Sequence, residues 1–174
     1  MKSRTVLFAL LAGAILAGCS GIDVATDYNR EWNFSAYKTY DWVGVKSPSL
    51  RDPVLETPLL DSRVKSAVER ELGIKGFRMS KENPDFLISY HVGTRSQVDV
   101  ATCGYHYPAS PDCWRGEVET YAYSEGTLVL DFIDTVKEEL VWRGTAKGAI
   151  YEDDDANEVL NSAVLKILKD FPPR

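Results

Sequence analysis

Phe86-Leu87-Ile88-Ser89-Tyr90-His91-Val92 reads as a β-strand by its period of two. Phe86, Ile88, Tyr90 and Val92 fall on one face, and Leu87, Ser89 and His91 on the other, more polar one. The segments on either side share this two-faced character. Downstream, Gln97 to Thr102 and Glu117 to Tyr123 read as arms of one hairpin. Thr127 to Ile133 and Glu139 to Ala146 form a second, turning at Asp134 to Glu138. In its first arm Leu128, Leu130 and Phe132 share a face; in its second, Leu140 and Trp142 do. Upstream, Asn83-Pro84-Asp85 marks a turn.

Helical spacing brackets these strands. Thr57-Pro58 is a helix start, with threonine as N-cap and proline at the first helical position. Leu60, Val64, Ala67, Val68 and Leu72 then line one face, and Gly73 and Gly76 end the helix. A second helix follows the acidic run Glu152 to Asp155 and carries the stripe Val159, Leu160, Ala163, Val164, Ile167 and Leu168. Acid at its start and Lys166 and Lys169 at its end complement the helix dipole, and Pro172-Pro173 stops it. Val45 to Pro58 reads as an irregular loop. The expected fold is α+β: a single domain, a mostly antiparallel sheet with two amphipathic helices packed on one face. The aromatic residues Tyr28, Trp32, Phe34, Tyr37, Tyr40 and Trp42 are expected to pack in and around that core rather than to form a stacking platform. Tyr40 and Trp42 alternate as in a strand.

The N-terminus carries an address. Lys2 and Arg4 precede an apolar run from Thr5 to Ala17 that closes on Leu16-Ala17-Gly18-Cys19. A basic start, a short apolar segment and small residues before a cut describe a secretory signal. The run is too short for a bilayer core that needs ~20 apolar residues. Cysteine after Leu-Ala-Gly resembles a bacterial lipobox, in which that thiol is lipidated (with palmitate among its acyl chains) and becomes the mature N-terminus. The expected division is a signal peptide over 1–18, a lipidated tether over 19–26 and a periplasmic domain over 27–174. Three acyl chains would make the anchorage essentially permanent, since one alone holds only reversibly. Ser20 stands where aspartate would resemble an inner-membrane retention signal, so the expected location is the periplasmic face of the outer membrane.

Charge and cysteines agree with that compartment. Loss of Lys2 and Arg4 leaves 18 basic against 26 acidic residues, a net charge of −8, which argues against a nucleic-acid partner. Beyond Cys19, Cys103 and Cys113 form an even pair in an oxidising space and read as a disulfide. Closing that loop of eleven residues stabilises by ~3 kcal/mol in the chain-entropy account. A metal site from Cys103, His106 and Cys113 is the alternative, but zinc wants a fourth ligand and a tighter spacing. Neither metal nor cofactor is expected. The loop carries Tyr105, His106 and Tyr107, with Trp114 and Arg115 beside it. That is the composition favoured at recognition hot spots, and a stapled loop loses less entropy on binding.

Catalytic signatures are weak. There is no Gly-rich phosphate loop, His-Glu-x-x-His helix, Gly-x-Ser-x-Gly elbow or Cys-x-x-Cys pair. His91 reads as a strand residue within the sheet, Glu152 to Asp155 as a solvated helix start, and Asp131 and Asp134 as strand-end and turn residues.

The tract Phe34-x-x-Tyr37-Lys38-Thr39-Tyr40-x-Trp42, with Asn83-Pro84-Asp85-Phe86 and Gly126-Thr127-Leu128-Val129, resembles one known family. Leu140-Val141-Trp142-Arg143-Gly144 and Ile167-Leu168-Lys169-Asp170-Phe171-Pro172-Pro173 continue the pattern in order. Together they resemble the bacterial envelope lipoproteins of domain-of-unknown-function family 4136, over nearly the whole mature chain. The resemblance implies a lipid-anchored periplasmic domain and carries no catalytic residues. The Cys103 to Cys113 loop lies outside that pattern. The expected function is a non-catalytic binding or envelope-structure module whose partner is an envelope protein, peptidoglycan or lipid. The alternatives are an envelope enzyme acting through His91 or acidic residues, and a small-ligand carrier with a pocket between helices and sheet.

Overall fold

The strand that begins at Phe86 runs on to Thr102, well past Val92, and pairs along its whole length with a strand returning from Val118 to Asp134. This is a computed structural model, and it describes residues 21–43, 57–102 and 118–173, without side chains at 98–102 and 118–122. In chain order the elements are β1 (Ile22–Tyr28), a 3-10 turn (Phe34–Ala36), β2 (Thr39–Trp42), α1 (Pro58–Ile74), β3 (Arg78–Met79), β4 (Phe86–Thr102), β5 (Val118–Asp134), β6 (Leu140–Ile150) and α2 (Ala156–Leu168). They build one six-stranded sheet in the order β1-β6-β5-β4-β2-β3. Only β2 runs parallel to its neighbours, β4 and β3; the other pairings are antiparallel. The α+β fold expected from the sequence is the fold observed.

Two sequence expectations are corrected in the sheet. Residues 22–26, expected to be tether, belong to β1, which closes one sheet edge by pairing Ile22 to Tyr28 with Gly148 to Trp142. The sheet thus takes in Ile22 to Thr26, ahead of the expected start at Asp27. Leu140 and Trp142 do not share a face either. The β5–β6 ladder jumps from Phe132↔Trp142 to Ile133↔Leu140, leaving Val141 as the extra residue of a bulge. Trp142 and Val141 are buried, whereas Leu140 is turned out and half exposed. Because side chains alternate with period two, one inserted residue moves the next to the opposite face.

Both helices use the stripe expected of them. Val64, Ala67, Val68 and Leu72 of α1 and Ala163, Val164, Ile167 and Leu168 of α2 are buried. Thr57 caps α1 by accepting a hydrogen bond from Leu60 N, and Asp155 caps α2 by accepting from Asn157 N and Glu158 N. α1 runs through Gly73 and is terminated by Gly76, whose φ of +88° is the left-handed conformation that glycine adopts without cost. Gly144 on β6 permits close packing with α2: a Cβ there would stand 2.4 Å from Ile167 Cγ2.

Large rings fill the core at the β4 start. Phe86 lies 5.0 Å from Phe132, 5.3 Å from Tyr37 and 5.7 Å from Phe77, centroid to centroid. Phe171, just past α2, stands edge-on to Phe132 at 4.6 Å and also meets Trp142, Phe77 and Phe34. Such pairs contribute about 0.5–1.5 kcal/mol each beyond the burial of their area. The aromatic cluster therefore packs the core, as expected.

Candidate functional site

Polar groups at the ring-packed end are already engaged with one another. The buried Asp134 accepts a hydrogen bond from Tyr37 Oη at 2.7 Å and from Val136 N and Lys137 N of the following turn. Trp32 Nε1 donates to the same tyrosine hydroxyl, and Lys137 lies over the Trp32 ring at 4.3 Å. Burial, and then the bond to Asp134, push the Tyr37 hydroxyl well above the ordinary tyrosine range. Tyr40 is pushed up to about 12, chiefly by burial and secondarily by Glu69. Asp85 accepts from Lys38 N, Thr39 N and Thr39 Oγ1 at 2.7–2.9 Å, joining the Asn83-Pro84-Asp85 turn to β2. Burial works against its ionisation, but these bonds and the Lys38 charge outweigh it and hold the carboxyl below its usual range.

Asp131 is committed too, on the sheet face away from the helices. Arg143 on β6 donates to it through Nε at 2.6 Å and through a terminal nitrogen at 2.7 Å, a two-pronged pair. The hydrogen bonds and charge of Asp131 push the guanidinium up. Asp131 and Asp134 thus hold a strand and a turn, as their positions suggested. His91 is exposed on this same face, opposite Val129. Asp155 and Asp154 cap the start of α2 and its preceding turn.

The opposite end of the core is open. Between α2, the start of α1 and the middle of the sheet lies a cavity of about 220 Å³. Its floor is the cross-strand row Thr94, Gly126, Gly148 and Ile22, together with Val92, Leu128 and Ala146 of the next row. Ala156, Val159, Leu160 and Ala163 of α2 and Leu60 of α1 form the roof. Small side chains meet small side chains here, so sheet and helix do not fill the space between them. Gly126 lets the Ile150 side chain lie close over the strand: a Cβ there would meet Ile150 Cδ1 at 2.4 Å and displace the end of that side chain. Lys147 is the one ionisable residue along the described wall, and no described carboxylate or histidine lines it. The wall can desolvate an apolar group and offers few partners to a polar one.

The expected site residues Cys19, Cys103, Tyr105, His106, Tyr107, Cys113, Trp114 and Arg115 lie outside the described residues. The hairpin that would carry the stapled loop is present, closing at Thr102↔Val118. Near it, Tyr123 packs on Tyr151 at 6.0 Å. No described helix is long and apolar enough to cross a membrane. The cavity residues were read from the sequence as helix stripe and strand faces. The available signal was the run of small residues Gly126, Ala146 and Gly148 facing Ala156 and Ala163.

The class is thus a two-layer α+β domain with a ring-packed end and an apolar cavity at the other. Residues 24–173 match the domain of unknown function DUF4136, and the chain belongs to that family. No curated protein matches it. Among solved structures, it is similar to a PDZ domain protein from Parabacteroides distasonis, with a TM-score of 0.56 and 14% identity. That match covers 88% of this chain and 36% of the other, so the chain spans about a third of that protein's length. It is also similar to the PelC dodecamer from Paraburkholderia phytofirmans, as a leucine-to-methionine variant and without that substitution, with TM-scores of 0.47 and 0.48 and identities of 15% and 14%. Each of those matches covers 84% of this chain and 94% of the other.

Proposed function

We propose that this protein is a non-catalytic, lipid-anchored envelope module, held by Cys19 at the periplasmic face of the outer membrane, whose domain binds an apolar group. The observation that carries the binding is the cavity between α2 and the sheet, with its apolar wall. It favours the small-ligand carrier over an envelope enzyme, because Asp131, Asp134, Asp154 and Asp155 are engaged in structural contacts and His91 lies on the opposite face of the sheet. The address is supported by the basic start, the short apolar run and Leu16-Ala17-Gly18-Cys19. In this reading Cys103 and Cys113 are bridged, and the loop with Tyr105, His106, Tyr107, Trp114 and Arg115 supplies a second contact, to an envelope protein, peptidoglycan or lipid.

Two measurements test the two halves separately. Cys19→Ala should leave unprocessed precursor without acyl label, and normal maturation of that variant would refute the anchor. The same unlipidated chain, titrated with the uncharged fluorophore N-phenylnaphthylamine, should show saturable binding with blue-shifted emission, lost in Val159→Trp. Emission that rises linearly without saturating, or is unchanged by Val159→Trp, would refute the binding site.

A further inference from the structure

We infer that the cavity is the seat of an acyl chain from the protein's own Cys19, so that the domain shelters part of its anchor. The inference rests on the reading of Cys19 as lipidated. Its basis is where β1 starts. Ile22, the first residue of that strand, forms one wall of the cavity. Its carbonyl accepts a hydrogen bond from Lys166 Nζ of α2 at 3.2 Å, so the strand start is tied to the helix that roofs the space. Cys19 lies three residues upstream, a reach of at most about 10–11 Å for extended chain. A lipid on that sulfur is therefore delivered beside the cavity by the covalent structure itself, at the high effective concentration of a short tether.

The chemistry of the wall selects the same occupant. Val92, Leu128, Val159 and Leu160 present hydrocarbon, and Lys147 is the one charge along the described wall. A peptide or sugar would bring amides or hydroxyls to a wall whose few polar side chains are Thr94, Thr127 and Lys147, whereas an alkyl chain has no hydrogen bonds to lose. The volume of about 220 Å³ exceeds that of engineered apolar cavities of about 150 Å³ that take up benzene. It suits a segment of an alkyl chain rather than three whole chains. Sheltering one chain leaves the others to hold a bilayer, and it covers apolar surface that would otherwise meet water whenever the protein is between membranes.

The test places a diazirine-bearing aliphatic residue at position 160 of the full-length protein, with position 165 as the control on the exposed side of α2. Illumination in native membranes, followed by mass spectrometry, should join the α2 peptide carrying position 160 to the N-terminal lipopeptide. Position 165 should give no such product, and Val159→Trp, folded by circular dichroism, should abolish it. Adducts at position 160 with bulk phospholipid, with another protein or with water alone would overturn the assignment. The mass of the uncrosslinked N-terminal peptide separates the two failures. An acylated Cys19 without the crosslink defeats only the seat, and an unacylated Cys19 defeats the anchor along with it.

Discussion

The two ends of this core are built from residues of opposite size on the same strands. Near the β4 start, Phe86, Ile88, Leu130, Phe132 and Trp142 interlock with rings from outside the sheet. A few residues along the same ladder, Val92 pairs with Leu128 and Thr94 with Gly126, and a cavity lies above them. Burial of large apolar surface and close packing stabilise a domain, so the ring-packed end carries the fold. Space left beneath α2 forfeits contacts that larger residues would have made. A protein retains such a region at a cost in stability, and that cost is the physical signature of a site rather than of a core.

The comparison breaks first if the ring cluster is not cohesive. Phe86→Ala removes a fully buried ring in contact with five others. It should cost about 3–5 kcal/mol, or roughly 6–20 °C in melting temperature for a domain of this size. Denaturant unfolding of the full chain measures this. A loss below about 1 kcal/mol, the centre of the distribution for ordinary substitutions, would mean that the rings merely fill space.

The next effect tests the polar clamp beside those rings. Tyr37→Phe removes the donor to Asp134 and the acceptor for Trp32, with an expected loss of about 1–3 kcal/mol. The same clamp sets a pH dependence. Tyr37 and Tyr40 have folded-state values raised above the unfolded one, so the fold favours their protonated forms. Their contribution is full below the ordinary tyrosine value near 10 and is lost as pH rises through the raised values. The denaturation midpoint should therefore fall between about pH 10 and 12, and phenolate absorbance from these rings should appear only with unfolding. Tyr37→Phe should flatten that slope, and an unchanged slope would remove the clamp from the account.

The ring-packed end was largely legible in the sequence, and the cavity was not, for one physical reason. Period-two and period-3.6 patterns report which face a residue takes, so Phe86, Ile88, Val64, Val164 and Ile167 could be assigned inward. The same patterns treat Ala163 and Leu168 alike, although one lines a void and the other is packed shut. How well two faces fill the space between them is a property of the pair. The register shift at Val141 escaped for a related reason: an inserted residue changes alternation without changing composition. β1 was hidden because Ile22 to Tyr28 is an edge strand with six of seven residues exposed, so no apolar alternation marks it. The 17-residue β4–β5 ladder was read as shorter strands, and Gly93, Thr94 and Gly126 fall in the gaps between them, where the sheet faces the cavity.

The smallest effect sharpens the comparison most. Ala163 is nearly buried and lines the cavity, so Ala163→Leu places three more carbons into space already present. In a close-packed core the same change overpacks and costs about 1–3 kcal/mol. Filling a void instead commonly stabilises by about 0.5–2 kcal/mol. The expected result is a small gain in stability, measured by denaturant unfolding, together with weaker binding of N-phenylnaphthylamine to the unlipidated chain. Gain and loss in one variant would separate a site from a packing defect, since filling a defect improves stability and removes nothing. A destabilised variant would mean that α2 and the sheet already meet as closely there as they do around Phe171, and the two ends would then be alike.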